Sequence, residues 1–286
     1  MASAGSSSTL ASPEADVQDP AAPRHQRARG IGRIGTQVLE GRTRLATLFQ
    51  EGCAKIRLPR THDASLQAVL INTAGGLTGG DEVRWAAEAA LGARLVLTTQ
   101  ACERVYRSLG DDARVATQLT VRAGAHLDWL PQETILFEGS RLQRSLEVEL
   151  EDGASLFAVE AVLLGREAMG EVARQARLAD SWRIRRNGRL IHAEATRLSA
   201  EPLERDGLSL LDGKGAFATL LYVGADAEGR LERVRALIGR EAGASLIGER
   251  LVVRALAASG LALRRTIAPI IAELSGAGAL PRLWHL

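Results

Sequence analysis

The residues of this 286-residue chain most suited to chemistry lie in Asn72-Thr-Ala-Gly-Gly-Leu-Thr-Gly-Gly-Asp81. Glycine loops cradle phosphate when their backbone N–H groups converge and a following lysine reaches the outer phosphates. Here Gly80 is followed by Asp81 and Glu82, whose charges repel phosphate. The next residues, Val83-Arg-Trp85, read on as a strand, whereas a dinucleotide fingerprint needs a helix opening on its glycines. Gly213-Lys214-Gly215 lacks both an upstream glycine and a downstream hydroxyl. These features argue against nucleotide binding. Glycine pairs also let chain approach chain, or let a channel pass, without Cβ obstruction. That reading places Asp81 at the end of a close-approach turn, and a plain strand-to-strand turn capped by an aspartate accounts for the same residues.

The other reactive side chains are dispersed. His25, His62, His126, His192 and His285 fall in a tail, a loop, a turn, a strand and the C-terminus, with no two at ligand spacing. Cys53 and Cys102 are too few for a disulfide framework or a closed zinc site. Both lie in strand-like segments, where a free thiol packs as a small apolar group and points to a reducing compartment. No Gly-x-Ser-x-Gly elbow occurs. Glu133 and Glu138 offer an acid–base pair, so a carboxylate-dependent hydrolase on a β-solenoid is the alternative reading. Aromatics make up only 3% of the chain, which leaves such an enzyme without a sugar platform and an RNA binder without stacking surfaces. A formal charge of +2 gives no sign of a concentrated basic face.

The elements that must position these residues are mostly strands. Leu146, Val148 and Leu150 alternate with Glu147 and Glu149, and Val115, Thr117, Leu119 and Val121 do the same one segment earlier. Arg94–Thr99, Ser155–Val159 and Phe217–Val223 have strand length and composition. Gly-Ala-x-Leu recurs at Gly92, Gly124, Gly153 and Gly243, the first three starts lying 32 and 29 residues apart. That period fits a solenoid or stacked β-layers, and unrelated hairpin turns fit it as well. The first two-thirds reads as antiparallel-like β. Leu231–Arg240 places Leu231, Val234, Leu237 and Ile238 on one helical face, and Leu261–Leu274 predicts a second helix broken or kinked at Pro269. The fold class expected is mainly β, a layered or solenoid-like strand domain with two peripheral α-helices.

Residues 1–29, rich in Ser, Ala and Pro, cannot bury enough surface to offset ordering and read as a disordered tail. Residues 30–286 carry no internal linker and read as one domain. With 46% apolar residues a substantial core is available, yet no window approaches a membrane span and the N-terminus lacks a signal-peptide pattern. The expected compartment is the cytoplasm.

The glycine motif is followed in order by Thr98-Thr-Gln-Ala-Cys-Glu-Arg-Val-Tyr-Arg-Ser108, Trp129-Leu-Pro-Gln-Glu-Thr-Ile-Leu-Phe-Glu-Gly139, Leu164-Gly-Arg-Glu-Ala-Met-Gly-Glu171 and Leu280-Pro-Arg-Leu-Trp284. Together these blocks resemble the UreD/UreH family of urease accessory proteins from about residue 32 to the end. The resemblance implies a largely β fold with two helices and a non-enzymatic role. It implies an assembly with apo-urease, UreF and the GTPase UreG, in which Ni2+ passes through this protein to a urease active site whose bridging lysine is carbamylated. UreG would supply the nucleotide chemistry that this chain lacks. Nickel in transit needs ligands weak enough to release it, and scattered carboxylates facing a wet passage meet that need. On the family pattern the transient metal contacts expected are Asp81, Glu160 and Glu194, with Glu171 in reserve because Arg166 can neutralise it. Cys102, Glu138 and Glu194 depart from the usual residue types of the family.

Overall fold

The structure is a computed structural model that describes residues 26–60, 63–199, 206–207, 210–276 and 280–285. Most of the expected tail, residues 1–25, lies outside the described residues, as does His62. In chain order the strands are β1 (Arg29–Leu39), β2 (Arg42–Gly52), β3 (Ala54–Arg57), β4 (Leu66–Asn72), β5 (Glu82–Ala89), β6 (Arg94–Thr99), β7 (Glu103–Val105), β8 (Ala113–Val121), β9 (His126–Leu130), β10 (Thr134–Leu136) and β11 (Arg141–Leu150). They continue with β12 (Ser155–Leu164), β13 (Arg177–Arg186), β14 (Arg189–Leu198) and β15 (Ala216–Val223), then helix α1 (Ala227–Leu237), β16 (Ala242–Ile247), β17 (Arg250–Ala257) and helix α2 (Gly260–Leu274). A seven-stranded first sheet runs β14-β13-β11-β8-β5-β1-β2, and a ten-stranded second sheet contains the path β16-β17-β15-β12-β9-β6-β4-β3, with β10 and β7 beside it.

The chain winds between the sheets as a solenoid. Each coil places one strand in each sheet, so the next strand in the same sheet arrives one turn later and runs parallel. This corrects the antiparallel-like expectation: β5, β8, β11 and β13 pair in parallel, as do β4, β6, β9 and β12. Alternation alone does not encode strand direction, because both ladder types share the period of two. The repeat resolves in the same way. Gly92, Gly124 and Gly153 all have positive φ and occupy stacked turns, with Gly92 N–H donating to Ala123 O at 3.0 Å. The leucines that follow, Leu95, Leu127 and Leu156, are in register across three strands and fully buried. Gly243 lies in edge strand β16 without positive φ, so the fourth copy is unrelated.

One apolar core fills the space between the sheets, and a second lies between the outer face of the second sheet and the helices. Strands β12 and β15 are therefore buried on both faces and read as nearly continuous apolar runs. Helix α1 starts and ends earlier than its periodicity predicts. Val234 is buried, and Leu231 and Ile238 pack partly on the second core, but Leu237 is exposed. Helix α2 continues through Pro269, held by buried Leu263, Ile267, Ile270, Ile271 and Leu274, and is capped by the Ser259 hydroxyl accepting from Ala262 N–H at 3.1 Å. Packing of that face outweighs the lost backbone hydrogen bond. The cysteines also differ from expectation. Cys53 sits at the corner where Gly52, at φ +57°, turns the chain from the first sheet into the second, and Cys102 immediately precedes β7.

Candidate functional site

The glycine motif is the coil turn from β4 to β5, and its close approach is to the next coil. Leu77 N–H donates to Arg104 O and Tyr106 N–H to Leu77 O, both at 2.7 Å, and Gly80 N–H reaches Asp112 O at 3.0 Å. A Cβ on Gly79 would meet the Ser108 hydroxyl and the Asp111 backbone. Asp81, buried at the end of this turn, accepts from Ala28 N–H and Thr78 N–H, each at 2.8 Å. Its carboxylate thus ties the entry of β1 to the glycine turn. No contact among the described residues joins it to Glu160 or Glu194.

Those two carboxylates do belong to one arrangement, a line of polar side chains between the sheets. On the second sheet, Glu160, Thr219 and Arg254 form an in-register row across β12, β15 and β17. Facing it, Arg144, Asp180 and Thr196 form a row across β11, β13 and β14 of the first sheet. Arg144 reaches across to pair with Glu160, and its Nη2 donates to Asp180 at 2.6 Å and its Nη1 to the Thr134 hydroxyl at 3.1 Å. Trp129 Nε1 donates to the other Glu160 oxygen at 2.9 Å. Arg144, Glu160 and Asp180 are only 6–8% exposed, so two carboxylates share one guanidinium where desolvation is severe. Burial, together with the neighbouring Asp180 charge, holds the Glu160 carboxyl above its ordinary range, at about 7, against the pull of Arg144. Among the described residues Arg144 Nε and Asp180 Oδ1 are buried without a hydrogen-bond partner, which gives the cluster unmet capacity for a further polar group.

Glu194 continues the line along β14. It pairs with Arg254, its second oxygen lies 3.6 Å from His192 Nε2, and the Thr219 hydroxyl stands at 3.5 Å. Burial raises this carboxyl, but the His192 and Arg254 contacts outweigh it and leave the net shift downward. The Arg254 side chain is 55% exposed and opens the line into a surface cavity of about 450 Å³ bordered by Thr196, Thr219 and Phe217. At the opposite end, Thr134 is in register with Glu103 of β7. Glu103 accepts from Asn72 Nδ2 at 3.1 and 3.2 Å and borders a cavity of about 180 Å³ with Gly75, Gly76 and Cys102. Burial pushes its carboxyl up to about 7.

The remaining acids are engaged elsewhere. Glu171 is held by Arg166 at 2.8 Å, the neutralisation the sequence suggests, and that contact lowers its pKa. Glu133 is clamped by Arg264 of α2 at 2.8 and 2.6 Å, with Cys102 Sγ at 3.4 Å. Glu138 instead accepts from Gln175 N–H at 3.1 Å, so these two carboxylates do not form an acid–base pair. His126 opens β9 and contacts the Ser155 hydroxyl and Asp128, each at 2.7 Å. Among the described residues no group of three or more His, Cys, Asp or Glu side chains could hold a metal ion.

Sequence reasoning missed Arg144, Asp180, His192, Arg254 and Glu103 as members of the line. A signal existed for two of them. Arg144 occupies the inward phase between Leu142 and Leu146, and Asp180 the inward phase between Leu178 and Trp182. A charged residue at an apolar phase of a strand marks a buried network.

The profile of the family described as UreD urease accessory protein matches residues 28–285. Proteins named urease accessory protein UreD are similar along nearly the whole chain. The one from Chelativorans sp. (strain BNC1) is 66% identical over 263 residues, covering 91% of this chain and 95% of its own. That of Rhizobium rhizogenes is 52% identical, covering 93% and 98%, and that of Agrobacterium fabrum 50%, covering 95% of each. By the extent of the profile match and the identity to these relatives, the chain belongs to the UreD family of urease accessory proteins.

Proposed function

We propose that this chain is a non-catalytic scaffold of urease maturation which acts in the cytoplasm, in a complex with UreF, UreG and apo-urease, and guides Ni2+ toward the urease active site through its interior. The observation that carries this reading is the polar line between the sheets, running from the Arg254 cavity through Glu194, Thr219, Glu160, Asp180, Arg144 and Thr134 to Glu103. An apolar core would be more stable without it. A route for a cation supplies the reason to keep it. Oxygen ligands spaced along the line bind nickel weakly enough to hand it on, whereas a full set of His or Cys would trap the ion. Glu160 and Glu194 are passage contacts in this account. Asp81 serves it from outside, by holding the turn that closes the first coil.

Reconstitution tests the reading. Apo-urease given Ni2+, bicarbonate, UreF, UreG and GTP is expected to stay largely inactive until this protein is added, while the purified chain hydrolyses neither urea nor GTP. Full activation in its absence would overturn the proposal.

A further inference from the structure

The outer face of the first sheet carries a feature that nickel transit does not use. Helices α1 and α2 pack on strands of the second sheet, and among the described residues Arg33, Arg84, Arg114, Ala179, Ala195 and Arg197 on the first sheet's outer face stay exposed. A trough of about 590 Å³ crosses this face. Its floor is the in-register row Ala116, Ser145, Ser181 and Ala195, spanning β8, β11, β13 and β14. One wall is the row Arg114, Gln143, Ala179 and Arg197. The other is the row Arg33, Ala86, Gln118, Glu147 and Arg183.

The charge is lopsided. Arg84 pairs with Glu82, an exposed contact worth roughly 0–1 kcal/mol. Arg33 lies over the Phe49 ring at 5.5 Å, and Arg183 donates to the backbone oxygens of Trp182 and Glu194. Arg114 and Arg197 have no carboxylate partner among the described residues. Glu82, in register with Arg114, and Glu147 are the acids of the walls, against five arginines. Five arginines, Arg33, Arg84, Arg114, Arg183 and Arg197, thus border a stretch where small residues leave room above the sheet.

We infer that this trough docks an extended, acidic polypeptide segment of a partner protein. The walls are four residues apart along each strand, about 13 Å, which admits one extended chain with its side chains. The floor runs across the strands and spans about 14 Å from β8 to β14; Arg84 of β5 and Ile31 of β1 continue its row, so the whole trough spans about 24 Å, the length of about seven extended residues. Carboxylates on alternate residues would meet the arginines, while Ser145, Ser181 and Gln143 offer hydrogen bonds to the segment's backbone. A nucleic acid fits less well, because the exposed aromatic at the trough's edge, Phe49, is already stacked under Arg33 and among the described residues no other exposed aromatic borders it. The inference is independent of the nickel passage.

Fluorescence anisotropy with labelled octaglutamate tests it on the full chain. Arg114→Glu with Arg197→Glu should weaken binding at least tenfold at low salt, and Arg114→Lys with Arg197→Lys should retain most of it. Arg240→Glu, on the loop after α1, should leave binding unchanged. Thermal unfolding of each variant separates lost binding from lost fold, and the lysine pair keeps the test decisive if the glutamate pair does not fold. Equal binding by wild type and the charge-reversed pair would overturn the inference. So would tighter binding of an eight-nucleotide single-stranded RNA than of octaglutamate, or loss of binding in Arg240→Glu alone.

Discussion

Replacing Glu103 by Gln should make the protein more stable above neutral pH and leave it unchanged in acid. Burial raises the Glu103 carboxyl from 4.5 to about 7, opposed only in part by the Asn72 amide and the Arg104 backbone N–H. A carboxyl whose folded value lies above its unfolded value favours the protonated form in the fold. Its contribution to stability is therefore fully present below about pH 4.5 and is lost as pH rises through 7. The shift corresponds to about 3 kcal/mol across that window. Glutamine keeps the shape and can still accept from Asn72, but carries no proton to lose. Urea unfolding at pH 4.5, 6, 7 and 8.5 is the assay. Glu160 also resists ionisation, so both proteins lose stability with rising pH, and the difference between them isolates Glu103. The variant should gain up to about 3 kcal/mol at pH 8.5 and about nothing at pH 4.5. Parallel pH profiles, or a variant weaker than wild type at pH 8.5, would refute the assignment of a buried, poorly compensated carboxyl.

Other outcomes follow from the same geometry. Asp81→Ala removes the acceptor for both Ala28 and Thr78 amides and should cost about 1–3 kcal/mol in thermal unfolding, with earlier hydrogen exchange at the start of β1. Arg144→Met leaves Glu160 and Asp180 buried without their cation and should cost about 3–5 kcal/mol. Adding Glu160→Gln and Asp180→Asn to it should recover much of that loss in the same denaturant titration. Leu127→Ala, in the middle of the stacked leucines, should cost about 2–5 kcal/mol, whereas Leu246→Ala at the β16 edge should cost clearly less.

The solenoid was legible where one residue type recurs for one physical reason. Gly92, Gly124 and Gly153 each make a turn with positive φ, and Leu95, Leu127 and Leu156 each fall into the same interior column. Strand direction was not legible, because alternation is the same in parallel and antiparallel ladders. Glu160 and Glu194 were legible through the family pattern, but their shared site depends on Arg144 crossing from one sheet to the other. No local pattern reports that crossing. Asp81 illustrates the converse. Its motif is the most conspicuous in the chain, and its carboxylate accepts from two backbone amides, contacts that spacing does not report.

Metal occupancy of urease reports whether nickel passes between the sheets. Glu160→Gln with Glu194→Gln keeps the size of both side chains while removing both charges. Apo-urease would be activated with UreF, UreG, GTP, Ni2+ and bicarbonate beside wild-type or double-variant protein, and co-purification would verify that the complex forms in each case. Nickel per urease active site, measured by plasma mass spectrometry, should fall several-fold with the double variant although the complex assembles normally. Full nickel loading through an intact double-variant complex would contradict the account and return both carboxylates to a purely structural role.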